Sequence, residues 1–297
     1  GSTFKIINGL IALQEGAITK HKTFSCNGDN GYSYGQEKYV ACHPHQIPLN
    51  LIEGIEISCN AYFCNIYNKY FDTFQSTIEA YDNWNKHVAS FGVGNYMNND
   101  FLTGSPGKLP KSSYFEKLYR GSWNANTIIS MSIGQGELLL TPIQMANITA
   151  IIANRGFYYT PHIIKSISEQ EAIDSNFTKK KFCTIESKHF TPIIKGMKEV
   201  VEGGNGTGKN AQIPGIEICG KTGTAQNPHG EDHSIFIAFS PVNTPKIAIA
   251  VYVENGGWGS TWAVPIASLM IEKYLTKKIT NITQEAFILN GNLIAKE

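Results

Sequence analysis

Ile216-Glu217-Ile218-Cys219-Gly220-Lys221-Thr222-Gly223-Thr224-Ala225 is the stretch on which the fold turns. Its run of isoleucines and threonines reads as a strand. Two further strand patterns follow at short intervals, Ser234 to Phe239 and Lys246 to Val253, the second with alternating β-branched residues. Connections this short join antiparallel neighbours, because a parallel crossover needs a dozen or more residues, usually with a helix. Pro265 to Leu275 then supplies a helix that closes against the sheet. At the end of the first strand, Lys221-Thr222-Gly223 offers a cation, a hydroxyl and a residue without a side chain. Such a strand end can receive a carboxylate while backbones approach closely. The plainer alternative is a solvated edge strand.

Toward the N-terminus, Ile7, Leu10, Ile11 and Leu13 recur at helical spacing before Gly16, so a buried helix starts at Ser2 and stops at the glycine. Thr23 to Pro48 is polar and broken by Gly28, Gly31, Gly35 and Pro44, which predicts an irregular loop or short hairpin. Helical patterning returns over Leu49 to Ile57 and Asn60 to Phe71, with Ser58-Cys59-Asn60 at the junction. Asn98 to Gly121 reads as a long surface loop. Thr141-Pro142-Ile143-Gln144 opens a helix ending near Gly156, with threonine as cap, proline at the first helical position and glutamine completing a capping box. Thr191 to Val201 is a further helix.

Ser2-Thr3-Phe4-Lys5 puts a hydroxyl and an amine one helical turn apart on one face, so that the lysine can take the serine proton. A Ser-x-x-Lys pair arises by chance about once in a chain this long. Ser105-Pro106-Gly107-Lys108 also fits, but Pro-Gly breaks the helix that the geometry requires. Ser-x-Asn occurs at Ser25-Cys26-Asn27, Ser58-Cys59-Asn60 and Ser122-Trp123-Asn124. The first runs into a glycine turn, whereas the second joins two helices, a rigid place from which a hydroxyl and an amide reach a cleft. Ser58 and Asn60 are therefore the candidates. Gly203-Gly204-Asn205-Gly206-Thr207-Gly208-Lys209 imitates a phosphate loop, yet Asn210 stands where magnesium needs a hydroxyl, and a helix rather than a strand precedes it.

Ser-x-x-Lys, Ser-x-Asn and Lys-Thr-Gly in this order resemble the penicillin-binding protein and serine β-lactamase superfamily. Gly1-Ser2-Thr3-Phe4-Lys5, Ser58 to Phe63, Gly134-Gln135-Gly136-Glu137 with Thr141-Pro142, and Gly220 to Gln226 are similar to class B transpeptidases of the elongation type, the penicillin-binding protein 2 group. The resemblance implies an α+β fold, an antiparallel sheet flanked by helices, over residues 1–297 as a single transpeptidase domain. It implies Ser2 as the nucleophile toward D-alanyl-D-alanine, Lys5 as general base, Ser58 as proton relay, and Asn60 orienting the substrate or Lys5. Lys221 would be a second cation, and Thr222, Gly223 and Thr224 would receive the substrate carboxylate and carbonyl. Stem peptides of the cell wall, β-lactams and membrane proteins of the elongation machinery are the implied partners, at the periplasmic face of the bacterial inner membrane, with no cofactor for catalysis. A β-lactam sensor, an inactive homologue or a serine β-lactamase would use the same fold. The family also carries two strands, a dimerisation region and a membrane anchor before the nucleophile. The expectation is therefore an N-terminally truncated piece, poorly stable alone, whose Lys246 to Val253 strand has an unpaired edge.

Cys42-His43-Pro44-His45 is a close Cys-x-x-His pair with Cys26 and Cys59 on either side. Three thiolates and an imidazole, Cys26, Cys42, His45 and Cys59, make a tetrahedral zinc set, pinning the loop beside Ser58. A Cys26–Cys42 disulfide, or buried thiols with a satisfied histidine, are the alternatives. Cys64, Cys183 and Cys219 read as thiols without a role.

The 297 residues are 42% hydrophobic, enough for a sizeable core, and the formal charge of +1 gives no sustained basic field for nucleic acid. Apolar stretches such as Ile247 to Val253 fall short of the roughly 20 residues of a membrane-spanning helix.

Overall fold

A helix that is apolar all round must be enclosed all round. In the computed structural model, which describes residues 1–100, 104–166 and 173–293, a 3-10 turn at Ser2–Phe4 runs into α1 (Lys5–Gln14), whose residues from Lys5 to Leu13 are all buried. The predicted stop holds, with Gly16 at φ +66°. After α1 the polar segment forms a small hairpin, β1 (Tyr32–Gly35) with β2 (Lys38–Val40). α2 (Leu51–Glu56) and α3 (Asn60–Phe71) follow, then α4 (Thr77–Ala89) and α5 (Ser112–Tyr119). α6 (Pro142–Ala153) carries the predicted capping box between Thr141 and Gln144. β3 (Phe157–Tyr158) pairs with β4 (Lys181–Phe182) around the short α7 (Ser175–Thr178), and α8 (Phe190–Glu202) leads to the main sheet.

That sheet has the antiparallel order β5 (Cys219–Ala225), β6 (His233–Ser240), β7 (Ile247–Val253) among the described residues. Alternation along β6 shows how it is enclosed. Ile235, Ile237 and Phe239 enter the larger core around α1, α3, α4 and α8, whereas Phe236 and Ala238 enter a second core under α9 (Ala263–Thr276). α10 (Ile282–Asn290) lies against α9 through the stacked rings of Trp262 and Phe287. Helices on both faces of an antiparallel sheet make this the α+β arrangement that the sequence implied. β5 and β7 are its two edges, and no described strand pairs with the outer side of β7.

Beyond shifts of a residue or two at helix ends, two segments depart from the sequence reading. The predicted loop from Asn98 to Gly121 contains α5, because Phe115 is fully buried against Tyr81 and Trp123 and draws the segment into a turn of helix. Tertiary burial here overrides local turn signals. Residues 101–103 of that loop lie outside the described residues. β5 begins at Cys219 rather than Ile216, since Ile216 is bridged to Ile213 across a turn in which Gly215 has φ +78°.

One buried amide ties α1 to its surroundings. Asn8 Nδ2 donates to the carbonyls of Met131 (3.1 Å) and Ser132 (2.8 Å), and its Oδ1 accepts from Trp84 Nε1 (2.8 Å). Asn8→Ala strands these groups without water, at a cost of about 2–4 kcal/mol. A denaturant melt should show that loss; an unchanged midpoint would remove Asn8 from this role.

Candidate active site

The junction between α2 and α3 is built to present three side chains. Asn50 caps α2 in a reciprocal box with Glu53, and α2 runs to Glu56. Ser58 then takes φ +61°, a left-handed conformation that a residue with a Cβ enters at a cost. Cys59 caps α3, its Sγ accepting the N–H of Tyr62 at 3.3 Å. Asn60 is the first residue of α3.

Lys5, fully buried on α1, reaches this junction. Its Nζ donates to Ser58 O (2.7 Å), Ser58 Oγ (3.2 Å) and Asn60 Oδ1 (2.5 Å). Lys221, equally buried on β5, donates to Ser58 Oγ at 2.8 Å and to Thr222 O at 3.0 Å. The Ser58 oxygen thus accepts from two lysines, which occupies both lone pairs and leaves its own hydrogen free to point elsewhere. Burial pushes Lys5 down to about 8, with the thiols of Cys59, Cys42 and Cys64 opposing the shift. Lys221 is held well below the usual lysine range by burial and by the charge of Lys5.

Ser2, Ser58, Asn60, Thr222, Gly223 and Thr224 line one cleft of about 420 Å³. All five residues read as catalytic from the sequence and the three read as substrate-binding therefore converge, with Lys5 and Lys221 beneath the floor. Gly223 is where the first turn meets β5: a Cβ there would lie 3.0 Å from Thr3 Cγ2. The decoys lie outside this lining. Ser105 sits in irregular chain before Gly107 at φ +66°, and Ser122 follows α5. The glycine turn after α8 is no phosphate loop either, since Lys209 folds back onto the carbonyl of Gly204.

Other residues line the cleft to which the sequence reading gave no site role, among them Gln135, Thr207, His43 and Trp258. Thr207 shares a 2.7 Å hydroxyl contact with Thr222, and Gln135 Nε2 donates to Thr224 O at 3.2 Å. Trp258 is 74% exposed, while its backbone is fixed to the sheet by Ser234 Oγ, which donates to Trp258 O at 2.9 Å. The two glycines around Gln135 were its available sequence signal.

The cysteine loop abuts the same junction. Asn60 Nδ2 donates to Ala41 O (2.7 Å) and the Asn60 N–H to Cys42 Sγ (3.3 Å). The donor atoms of Cys26, Cys42, His45 and Cys59 all lie within 4.8 Å of one another. All six cysteines are free thiols, so the Cys26–Cys42 disulfide alternative is not formed. The Cys59 hydrogen bond, with those of His43, Asn60 and His45, holds the Cys42 thiol far below its ordinary range against the effect of burial. The same contact with Cys42, and then burial, pushes the Cys59 thiol up. Cys64, Cys183 and Cys219 are buried in the core.

The profile of the penicillin binding protein transpeptidase domain matches residues 1–272. The chain belongs to this family. Peptidoglycan D,D-transpeptidase MrdA of Acinetobacter baumannii is 29% identical over 324 residues, 99% of this chain and 45% of that protein. The chain spans less than half the length of the first curated relatives it matches. The crystal structure of Pseudomonas aeruginosa PBP2 in complex with WCK 5153 superposes with a TM-score of 0.79 at 29% identity, covering 95% of this chain and 62% of that one. PBP2 of Helicobacter pylori, solved in complex with MreC, has a TM-score of 0.75 at 25% identity, covering 92% and 49%. Within the family, the resemblance is thus to the elongation type.

Proposed function

We propose that the described elements form one transpeptidase domain, which acts as a serine D,D-transpeptidase on peptidoglycan stem peptides through an acyl-enzyme on Ser2. The observation that carries this reading is the Ser58 hydroxyl held between Lys5 and Lys221 in the cleft that Ser2 lines. Neutral Lys5 takes the proton of Ser2 Oγ while the oxygen attacks the carbonyl between the two terminal D-alanines. The longest of its three contacts, 3.2 Å to Ser58 Oγ, is the one most easily released to free a lone pair. The C–N bond then breaks. Ser58 passes its outward-facing proton to the leaving amine and regains one from Lys5, which returns the base to its neutral state. Thr222, beside Thr207, and Thr224 receive the substrate's terminal carboxylate. An amine of a second stem peptide attacks the ester and releases Ser2, closing a cross-link. A β-lactam acylates Ser2 in the same manner, its ring amide taking the place of the peptide bond. The family resemblance supports the periplasmic face of the inner membrane as the location of this chemistry, and the solved PBP2 and MreC complex of Helicobacter pylori supports a membrane protein of the elongation machinery as partner.

After treatment with benzylpenicillin, intact-mass and peptide mapping should place one adduct on Ser2, lost in Ser2→Ala. An adduct elsewhere overturns the assignment. Turnover of a D-alanyl-D-alanine peptide separates an enzyme from a sensor, which would acylate without turning over.

With Lys5 at about 8, the neutral base fraction is small at pH 7 and nearly complete at pH 9. The acylation rate should therefore rise roughly tenfold across that interval and level off above it. A rate that is flat there would show that Lys5 is not the base.

We also propose a structural zinc at Cys26, Cys42, His45 and Cys59. Tetrahedral zinc with Zn–S of about 2.3 Å places two sulfurs about 3.8 Å apart, whereas a disulfide needs about 2.05 Å. Cys42 Sγ lies 3.7 Å from Cys59 Sγ and 3.7 Å from His45 Nε2. His45 Nδ1 is turned to the carbonyl of Gln46 at 2.8 Å, which fixes the tautomer and directs Nε2 at the sulfurs. The ion would hold the loop against Asn60 and take no part in acyl transfer. Elemental analysis of protein purified without added zinc should find one equivalent, lost in Cys42→Ala, with the three thiols of Cys26, Cys42 and Cys59 gaining reactivity only after chelation; metal-free protein would sink the site.

A further inference from the structure

An open strand edge presents alternating donors and acceptors along its length. The cleft edge of β5 departs from this. Thr222 O accepts from Lys221 Nζ (3.0 Å), and Thr224 O accepts from Gln135 Nε2 (3.2 Å). In an antiparallel strand the N–H and C=O of one residue point to the same side. The N–H groups of Thr222 and Thr224 therefore face the cleft with their carbonyls already engaged. Such an edge offers two N–H donors to an oxyanion, while each carbonyl is held by a side chain through one of its two lone pairs.

The route by which Gln135 reaches this edge is tightly specified. Gly134 has φ +72°, and a Cβ there would lie 2.5 Å from Phe4 Cβ. Gly136 has φ +79°, and its Cβ would lie 2.6 Å from Ser130 Oγ. The Gln135 N–H donates to Ser130 O at 3.0 Å. Two glycines that admit no side chain thus press the glutamine between the Ser2 turn and the 3-10 turn at Ile129–Ile133. Asn8 secures that second turn to α1 through Met131 O and Ser132 O. One side-chain amide consequently spans from the α1 assembly, which carries Ser2, to the β5 peptide, which carries Thr224.

We infer that Gln135 is a positioning residue for the oxyanion site: it fixes the Thr224 peptide relative to Ser2, so that the Thr224 N–H meets the substrate carbonyl oxygen as negative charge develops. The inference rests on the acyl-enzyme reading above and deepens it. Gln135 acts through Thr224 and needs no contact with substrate. On the other side Thr224 Oγ1 accepts the Gly259 N–H at 3.4 Å, so the residue is held from both flanks.

The test is stopped-flow acylation of the full chain by benzylpenicillin, separating the first-order acylation constant from the dissociation constant of the non-covalent complex. Gln135→Leu removes the donor, and acylation should slow about ten- to a hundredfold while the dissociation constant moves less than about threefold. Gln135→Met repeats the measurement with a longer, adaptable side chain should the leucine variant fail to fold. Gln135→Glu sets a carboxylate against the Thr224 carbonyl and should be slower still. Infrared difference spectra should show the ester carbonyl band of the acyl-enzyme at higher frequency in each variant, since weaker donors polarise it less. A folded variant with unchanged acylation and an unshifted band overturns the inference, as does a loss confined to the dissociation constant. A wild-type chain that benzylpenicillin does not acylate sinks the transpeptidase reading, and this inference with it.

Discussion

Two lysine amines meeting at one hydroxyl inside the protein is the constraint around which the site is arranged. Each amine loses its hydration on burial, and each repels the other while charged. The arrangement survives because Ser58 supplies an oxygen to both, and because Asn60, the Ser58 carbonyl and the Thr222 carbonyl take the remaining N–H groups. Those acceptors come from a helix junction and a strand edge, far apart in sequence. The short α2, the left-handed residue at 58, the cap at Cys59 and the ordered edge of β5 are all needed to bring them together. Burial keeps Lys5 within reach of its neutral form.

Much of this frame is legible in the sequence where the signal is local. The capping box at Thr141 and Gln144, the Gly16 stop and the limits of α3 follow from residues a few positions apart. The three strands follow from β-branched runs with short connections. What escaped was set at a distance. α5 forms because Phe115 finds Tyr81 and Trp123, and nothing within its eight residues announces that. Thr207 and Gln135 reach the cleft through turns rich in glycine, which a local reading takes for flexibility. At Gln135 the glycines are instead the mark of close approach, and the direction of the side chain depends on a carbonyl of another element.

The site motifs were ambiguous singly and decided by context. Ser2 and Ser105 each precede a lysine by three residues, but only Ser2 opens a helix. Among the Ser-x-Asn triplets, only that at 58–60 occupies a helix junction beside both lysines. Cysteine counting alone left the loop thiols open. Their distances separate Cys26, Cys42 and Cys59, gathered about His45, from the scattered core thiols.

Ser58 carries one more implication. Its left-handed backbone is a place where glycine would sit with less strain, and glycine would also remove the hydroxyl that both lysines share. Backbone preference and chemistry pull in opposite directions at this position. A population of variants sorted only by how well they fold would tend to drift toward losing the serine, whereas sorting by the proposed acyl transfer would retain it. The residue at 58 is thus a point where selection for a durable protein and selection for a working one can be told apart.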